Sequence, residues 1–488
     1  MTKIGCKHPI RIGWLILCFI ACDARSSARR IDDSPPAPTR SALAAQLRLA
    51  LREKLLAPFY PRAVDRDNGG FLSEFDYQWR PTGSQDKMIV TQARHLWTNA
   101  RAAQFFPGDT TFLPGASHGF RFLRDVMWDK EYGGFYWLVT RNGQVRRNEN
   151  GEIIKQTYGI AFGIFALAAY FDVTRDSVAL RLAQDAFHWL DKHAHDPLSG
   201  GYFRHMERDG TPLRAGYNRN PPKDMNASIH VLEAFTELYR VWPDSALRDR
   251  LDEMLALIRD TMQVPPGTLT LLFTRDWKAV SYQDSSEAVR SATRYFNDHV
   301  SFGHDVETAT LMMEASEALG LQRDTATLRA AKQLVDHALH NGWDDAVGGF
   351  YDAGYYYRNK PGITIVKDTK IWWAQAEGLK TLLIFGDRYP DDPLRYHEKF
   401  LKQWSYITTY LVDHKHGGWY DFGLDTKASA RRNRKAHIWK AAYHDGGALM
   451  DVIRRLKTSG KAEFVVRRDP SHAASGTANP RETSADRQ

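Results

Sequence analysis

The stretch Asp129-Lys130-Glu131-Tyr132-Gly133-Gly134-Phe135 contains a motif that the chain repeats: an aspartate, three variable residues, two glycines and an aromatic residue. The copies lie at 65–71, 129–135, 196–202, 344–350 and 413–419. Their first glycines are 64, 67, 148 and 69 residues apart, and 148 is about twice the other intervals. We therefore predict a sixth, diverged copy near Leu269–Trp277, which gives six units of about 70 residues.

Each copy is predicted to form a tight turn. Two adjacent glycines accept the positive φ that such a turn requires, and the aromatic residue that follows can pack inward. We interpret the repeat as structural, marking the boundary between helices rather than binding a ligand.

The segments between the turns have apolar residues three and four positions apart, which predicts amphipathic helices. Two per unit are predicted, at residues 41–59, 86–105, 114–128, 156–171, 177–193, 225–241, 246–263, 303–319, 323–340, 369–387, 393–412 and 436–457. Six helical hairpins can form an open solenoid or close into a ring of inner and outer helices. We favour closure, because polar and aromatic residues collect near the beginnings of the even-numbered helices and would then meet at one mouth.

Composition is compatible with one large domain and gives little sign of a nucleic-acid partner. Of the 488 residues, 43% are hydrophobic and 12% aromatic. The formal charge is +8, but clusters such as Arg431, Arg432, Arg434 and Lys435 are interpreted as solvated charge. No interleaved basic and aromatic stripe typical of a nucleic-acid surface occurs, and we expect no nucleic-acid partner.

The N-terminus has the pattern of an export signal. Lys3, Lys7 and Arg11 precede an apolar run at 12–21 that is too short for a comfortable membrane span. We expect an exported protein of a bacterium, either periplasmic or anchored to the membrane as a lipoprotein. The predicted boundaries are a signal peptide at 1–22, disordered segments at 23–40 and 461–488, and one domain at 41–460.

All three cysteines, Cys6, Cys18 and Cys22, lie within this leader. Residues 19–22, Phe-Ile-Ala-Cys, resemble a bacterial lipoprotein box, which leaves both simple cleavage and a lipid anchor at Cys22 open. Disulfides, thiol nucleophiles and cysteine metal sites are therefore excluded from the predicted domain.

Three histidines are placed on even-numbered helices: His230, His304 and His444. Asn226 lies four residues before His230, and Glu307 three after His304, so each pair shares a helix face. We expect Glu307 to orient His304 or to tune its charge. A lone histidine is more often a packing residue, but three of them near an arginine and carboxylates favour a functional site.

Further polar and aromatic residues lie at or near the starts of the even-numbered predicted helices. They are Lys87, Gln92, Arg94 and Trp97; Lys155 and Tyr158; Lys370, Trp372, Trp373, Gln375 and Glu377; and Trp439. The tandem Trp372-Trp373 is typical of a sugar-stacking platform. Zinc is an alternative reason for clustered histidines, but the spacings HxxxH and HExxH are absent and Arg94 would repel a cation.

The segments 225–234, 301–307 and 372–377 resemble those of the N-acylglucosamine 2-epimerase superfamily, most closely the cellobiose 2-epimerases, and the resemblance extends over about 41–457. It implies an all-α fold, an (α/α)6 barrel of twelve helices, in agreement with the count above. It also implies inversion of C2 of a reducing-end sugar without a metal or an organic cofactor.

The resemblance implies roles for individual residues. His304 and His444 are the pair that exchanges the C2 proton, and we group His230 with them as a catalytic candidate that holds the open sugar. The implied substrate-binding residues are Arg94, Tyr158, Asn226, Glu307, Trp372, Trp373, Glu377 and Trp439. Two positions depart from the pattern of cellobiose 2-epimerases: Thr310 stands where tryptophan is frequent, and Gly447 where arginine is frequent.

The leading hypothesis is an aldose 2-epimerase, an isomerase acting on a β-1,4-linked disaccharide such as cellobiose, mannobiose or lactose. An aldose–ketose isomerase and an N-acylglucosamine 2-epimerase are alternatives on the same barrel. A glycoside hydrolase or lyase would use paired carboxylates instead, and a non-catalytic sugar-binding lipoprotein would retain only the aromatic residues. The expected partner is a small sugar, and the expected assembly is a monomer or weak dimer.

Overall fold

The computed structural model describes residues 38–218, 220–292, 297–321, 323–458 and 464. The predicted signal peptide, with Cys22, and nearly all of both predicted disordered segments lie outside these residues. Two residues assigned to those segments are structured. Arg40 begins the first helix and donates to Asp387 at 2.7 Å, and Phe464 is buried against Phe400 with ring centroids 5.6 Å apart.

Twelve long helices occur in the described residues, in alternating outer and inner positions. The outer helices are α1 (Arg40–Leu49, continued by π-helical Ala50–Leu56 and by Ala57–Phe59), α3 (Phe112–Phe122, then π-helical Leu123–Met127), α5 (Ser177–Ala194), α7 (Ser245–Leu257, then π-helical Ile258–Met262), α9 (Thr325–Asn341) and α11 (Tyr396–Tyr406, then π-helical Ile407–Leu411). The inner helices are α2 (Ile89–Phe105), α4 (Thr157–Thr174), α6 (Met225–Val241), α8 (Phe302–Ala318), α10 (Trp372–Arg388) and α12 (His444–Thr458). Short helices at Glu287–Ala292 and Ala428–Arg432 lie in the connections.

The inner helices close into a ring. Each packs against the next inner helix, and α12 packs against α2, while every outer helix covers the inner helix beside it. The fold is therefore the predicted (α/α)6 barrel. Helix α4 is buried at every position from Thr157 to Tyr170. By length and hydropathy α4 could cross a membrane, but its apolar residues face neighbouring helices inside the barrel.

Short antiparallel strand pairs lie in the connections that lead from outer to inner helices. They join Lys87–Met88 to Leu138–Val139, Ile154–Gln156 to His205–Glu207, Lys223–Asp224 to Leu272–Phe273, Gln263–Val264 to Thr268–Leu269, and Ala353–Tyr355 to Thr364–Lys367. Several of these strands end directly at the start of an inner helix, so they fix where each inner helix enters the ring.

The repeated motif forms turns, as predicted, and its aspartate adds a buried ion pair. In the second copy Gly133 and Gly134 both have a φ of 70°. Asp129 accepts from the fully buried Lys155 at 3.0 Å and from Arg208 at 2.9 Å, and Lys155 lies two residues before α4. We call this turn-to-helix pair a clasp. The other clasps are Asp65–Lys87, Asp196–Lys223 and Asp344–Lys370. The Asp413–Lys435 pair is also counted as a clasp, although Lys435 precedes a loop rather than the helix itself.

The clasps correct several predictions. The sequence pattern groups Lys87, Lys155 and Lys370 with the residues of the mouth, and Lys435 with solvated charge, but all four are buried in clasps. Gln92 and Gln375 are also structural. The side-chain amide of Gln92 accepts from the N–H of Phe71 and donates to its carbonyl, and Gln375 does the same with Phe350. Both phenylalanines are the aromatic residues of their turns.

The sixth turn lies at 263–269, slightly before the predicted Leu269–Trp277, and it has no clasp. Gly267 has a φ of 123° and supplies the positive φ alone. Val264 and Val300 stand at the positions of the aspartate and the lysine. The two charges are absent together, as expected if one buried charge is costly without its partner.

Helix α12 begins at His444, not at residue 436 as predicted. Residues 436–443 instead form an irregular loop with a bridge between His437 and Lys440. Trp439 therefore lies on this loop rather than on an inner helix.

Candidate active site

A cavity of about 430 Å³ opens at the mouth where the inner helices begin. Its lining includes every predicted site residue except Glu377, namely Arg94, Tyr158, Asn226, His230, His304, Glu307, Trp372, Trp373, Trp439 and His444. Glu377 lies directly behind the lining and is bonded to His444. The folded ring thus brings together residues from six segments of the chain.

The inner helices present these side chains in two layers. An upper layer comes from the second or third residue of a helix: Tyr158, Asn226, His304 and Trp373. A lower layer comes from the sixth residue: Arg94, His230, Glu307 and Glu377. The spacing of three or four places both layers on one helix face. The positive N-terminal ends of the helix dipoles also point toward the cavity, which favours negative charge there.

His304 forms one wall of the cavity. Its Nδ1 lies 2.7 Å from Ser301 Oγ, and its ring centroid is 4.7 Å from that of Trp373. Burial, together with repulsion from His230, His299 and His444, lowers the pKa of His304 to about 3. The imidazole is therefore a neutral base near pH 7, with Nε2 available to a substrate. Contrary to the prediction, no hydrogen bond joins His304 to Glu307 in the described part of the chain.

His444 also contacts this indole, with its ring centroid 5.7 Å from that of Trp373, and is held by carboxyl groups. Its Nδ1 lies 2.8 Å from Glu377 Oε1 and 3.8 Å from Glu307 Oε1. Burial lowers the pKa of His444 and the hydrogen bond to Glu377 opposes that shift, which leaves a pKa of about 4. Because an ionised carboxylate can only accept, Nδ1 carries the hydrogen and Nε2 is left as a base.

The two carboxyl groups beneath His444 differ in charge. Burial, Glu377 and Glu233 raise the pKa of Glu307 well above its usual range. Burial also raises the pKa of Glu377, but Lys380 and His444 more than offset this and hold it low. Glu307 is thus protonated and Glu377 ionised.

The ligand atoms of Glu307, Glu377 and His444 lie within 4.8 Å of one another, as in a small metal site. However, the Lys380 ammonium is 3.3 Å from Glu377 Oε2 and already supplies a positive charge to this group. A divalent cation would face that ammonium at short range. We therefore interpret the three residues as a proton-sharing group rather than as metal ligands.

Arg94 is rigidly held beside the cavity. Its guanidinium donates to Trp439 O at 2.8 Å and to Tyr158 Oη at 3.1 Å. The rings of Phe162 and Tyr443 lie 4.6 and 5.0 Å from its Cζ. This fixed charge can stabilise an oxyanion without reorganisation.

Two further side chains offer polar groups to a ligand. Asn226 Oδ1 is buried and has no hydrogen-bond partner among the described residues. His230 Nδ1 lies 2.8 Å from Glu233 Oε2, and Glu233 also accepts from Tyr443. His230 is therefore oriented by a carboxylate in the same way as His444.

The outer part of the cavity is aromatic. Trp439 is 45% exposed, and its ring centroid lies 6.0 Å from that of Trp137 and 6.4 Å from that of Tyr158. Trp372 lies at the mouth beneath Lys440, whose Nζ is 4.6 Å from the ring. Flat apolar surfaces beside polar groups suit a sugar ring.

Sequence reasoning missed Ile371, Asp421, Phe422 and His437, which also line the cavity. Asp421 accepts from Lys440 at 2.8 Å, and its pKa is low because Lys440 and His437 offset the effect of burial. The repeated motif could have identified Asp421 as a residue of the mouth. Asp421 lies two residues after the aromatic residue of its turn, as does Trp137, which also reaches the mouth.

The two departures from the expected pattern lie outside the substrate cavity. Thr310 is buried and donates to the carbonyl of Glu307 at 2.8 Å. A Cβ at Gly447 would lie 3.0 Å from the ring of Trp97. Trp97, predicted among the residues of the mouth, instead stacks below it on Phe165, with centroids 5.4 Å apart.

Residues 69–448 match the model of the N-acylglucosamine 2-epimerase (GlcNAc 2-epimerase) family. The chain belongs to this family. The chain is also similar to a cellobiose 2-epimerase of Bacteroides fragilis, which is 28% identical over 418 residues, covering 84% of this chain and 98% of the relative. Membership makes the protein a carbohydrate epimerase, an isomerase.

Solved structures agree with this assignment. A cellobiose 2-epimerase from Spirochaeta thermophila is 27% identical, with a TM-score of 0.71 over 85% of this chain and 97% of that chain. A D-mannose isomerase is 22% identical, with a TM-score of 0.72 over 86% of this chain and 100% of that one. The similarity to the D-mannose isomerase is evidence for the fold alone.

Proposed function

We propose that this protein inverts C2 of the reducing-end sugar in a β-1,4-linked disaccharide, such as cellobiose, mannobiose or lactose, through an enediolate. The observation that carries the proposal is the placement of two neutral, buried imidazoles against one indole. His304 and His444 contact Trp373 beside the fixed charge of Arg94. Similarity to cellobiose 2-epimerases supports the choice of disaccharide.

The reaction begins with the open-chain aldehyde. An imidazole Nε2 removes the C2 proton, the electrons of the C–H bond form the C1–C2 double bond, and the carbonyl oxygen becomes an oxyanion. Arg94 and the helix N-termini stabilise that oxyanion. The second imidazole delivers a proton to the opposite face of C2, which inverts the centre, and the carbonyl forms again.

This cycle requires one base and one acid. His304, held by a hydroxyl, is suited to be the base in one direction. His444, with its Nδ1 hydrogen bonded to Glu377, takes the C2 proton on Nε2 when it is the base. When it is the acid, its Nε2 first gains a proton from solvent and gives that proton to C2, while the proton removed by His304 returns to solvent before the next turnover. The roles exchange in the reverse direction.

The other site residues hold the sugar. Arg94, Tyr158, Asn226 and His230 face the open chain and its oxygens, whereas the tryptophans form the walls for the sugar rings. Trp373 contacts both imidazoles. Trp372 and Trp439 lie at the mouth, where a second sugar unit would extend. A disaccharide would thus use both the inner and the outer part of the cavity.

Proton NMR in deuterium oxide tests the proposed reaction. With cellobiose or mannobiose, we expect deuterium at C2 and the appearance of the other epimer. A ketose product would show an aldose–ketose isomerase instead. Reaction with N-acetylglucosamine, and with none of the disaccharides, would show an N-acylglucosamine 2-epimerase. Neither deuterium uptake nor a new epimer from any of these sugars would refute the proposal.

We also propose that the chain is exported, as the basic and apolar N-terminal pattern suggests. Expression of the full chain in a bacterium, followed by fractionation, should place the mature protein in the periplasm or the membrane. Cys22→Ser distinguishes the two routes, because only a lipid-anchored protein would leave the membrane fraction when this cysteine is lost. A full-length product in the cytoplasm would contradict export.

A further inference from the structure

A second cavity of about 300 Å³ lies on the other side of the group formed by Glu307, Glu377 and His444. These three residues border it from above, and Lys380 lies in its wall. Lys380 is not among the residues that line the described substrate cavity. Lys380 therefore affects the proposed reaction only through the residues that separate the two cavities.

Lys380 is placed against the carboxylate that holds His444. Its Nζ lies 3.3 Å from Glu377 Oε2 and 3.8 Å from Glu314 Oε1, and its side chain is 13% exposed. Glu377 uses its other oxygen, Oε1, for His444 Nδ1 at 2.8 Å. Ammonium, carboxylate and imidazole thus form one continuous chain.

Carboxyl groups surround this ammonium on several helices. They are Glu377 on α10 itself, Glu307 and Glu314 on α8, Asp451 on α12 and Glu233 on α6. Burial lowers the pKa of Lys380, but these groups raise it above its ordinary value, so the residue stays charged. A cation held among several carboxyl groups decides which of them is ionised.

We infer that Lys380 is a positioning residue: its ammonium keeps Glu377 ionised, so that His444 holds its hydrogen on Nδ1 and turns an unprotonated Nε2 toward the sugar. This inference rests on the proposed function. Without the ammonium, Glu307 and Glu377 would compete for one proton beside the same imidazole. A protonated Glu377 could donate to Nδ1, and the hydrogen of His444 would then move to Nε2.

Substitution of Lys380 by methionine tests this role. In Lys380→Met we expect kcat to fall about 10- to 100-fold while KM changes less than about twofold, because the residue lies outside the substrate cavity. Lys380→Arg should recover most of kcat. Arg455→Met is the matched control: Arg455 lines the same lower cavity but pairs with Asp451 at 2.8 Å, and its loss should leave kcat unchanged. An unchanged kcat in a folded Lys380→Met variant would overturn the inference.

A double-mutant cycle with Glu377→Gln shows whether Lys380 acts through that carboxylate. If it does, adding Lys380→Met to Glu377→Gln should lower kcat by less than about twofold. A further loss equal to that seen in the wild-type background would mean an independent effect and would contradict the inference. Thermal unfolding of each variant identifies any that fail to fold.

Nitrogen NMR of histidine-labelled protein gives a readout that needs no turnover. In the wild type we expect His444 to have hydrogen on Nδ1, and in Lys380→Met a shift toward the other tautomer. Identical His444 nitrogen signals in the two proteins would overturn the inference. If the wild type fails to exchange C2 deuterium, the proposed function fails, and this spectrum still decides the coupling.

Discussion

His304 and His444 both contact the indole of Trp373, yet their surroundings differ. Both imidazoles are buried and both have lowered pKa values. The Nδ1 atom of His304 meets the hydroxyl of Ser301, whereas that of His444 meets a carboxylate linked to Lys380. Burial is therefore the largest cause that keeps both rings neutral, and the partner behind each ring distinguishes them.

This difference separates two roles. A hydroxyl can donate or accept, so it orients His304 without imposing a charge. An ionised carboxylate gives His444 a fixed tautomer. We expect the His304 side to tolerate changes behind the ring better than the His444 side.

Removal of either imidazole should have the largest effect. His304→Ala and His444→Ala should each lower epimerisation by about 10²- to 10⁴-fold, the usual contribution of a general base. Each variant should retain C2 deuterium exchange with only one of the two epimers, because each ring serves one face. NMR with cellobiose and with its C2 epimer as separate substrates measures this. Equal loss of exchange for both epimers in both variants would show that the rings do not divide the faces.

Glu377→Gln should have the next largest effect, about 100-fold on kcat, because an amide cannot hold the Nδ1–H tautomer of His444 as an ionised carboxylate does. Steady-state kinetics with cellobiose measures it. Glu314→Gln is a suitable control, since Glu314 lies 3.8 Å from Lys380 but does not contact His444. If both variants lost activity equally, a general loss of negative charge would explain the result better.

Ser301→Ala should cost only about 3- to 10-fold in kcat, the size of one neutral hydrogen bond. The same assay applies, and Ser301→Thr should restore the hydroxyl and most of the rate. A loss as large as that of Glu377→Gln would erase the contrast between the two sides of the cavity.

The smallest expected effect concerns pH. Because the pKa values of His304 and His444 are lowered to about 3 and 4, both rings stay neutral well below pH 6. We expect kcat/KM to change less than about twofold between pH 6 and 8 and to fall in more acidic solution. Rates across this range in buffers of constant ionic strength provide the measurement.

The free energy of unfolding should follow the same shifts. A histidine with a lowered pKa in the folded state binds protons more readily when unfolded, so stability is full above about pH 6.5 and declines as the pH falls toward the folded values. Denaturant titrations at pH 7 and pH 5 would detect this. Greater stability at pH 5 would mean that other groups dominate.

The repeat made the fold predictable from sequence, because glycine pairs at regular intervals mark turns and apolar periodicity marks helices. The two layers of the site were also accessible, since residues such as Asn226 and His230 share a helix face. What could not be predicted depended on contacts between distant segments. Nothing local distinguishes Lys87, which is in a clasp, from Lys380, which lies beside the site.

Partners of individual side chains were the weakest predictions. Sequence spacing paired Glu307 with His304, but in the folded ring Glu307 lies nearer to His444 from another helix. Trp439 was placed on a helix, because apolar periodicity does not reveal that the chain stays irregular until residue 444. Such errors are expected wherever tertiary contacts override local pattern.

The turn without a clasp has a consequence for the base of the reaction. Val300 stands where other units have a buried lysine, and it directly precedes Ser301 and the helix of His304. Its backbone pairs with Gly354, at 2.8 and 3.0 Å, and no ammonium pins it to the preceding turn. Leu269 N in that turn donates to Asp305 Oδ1 on this helix at 3.3 Å, so a hydrogen bond rather than a buried ion pair connects the two. We expect the helix that carries His304 to shift relative to its turn more easily than the clasped helices do.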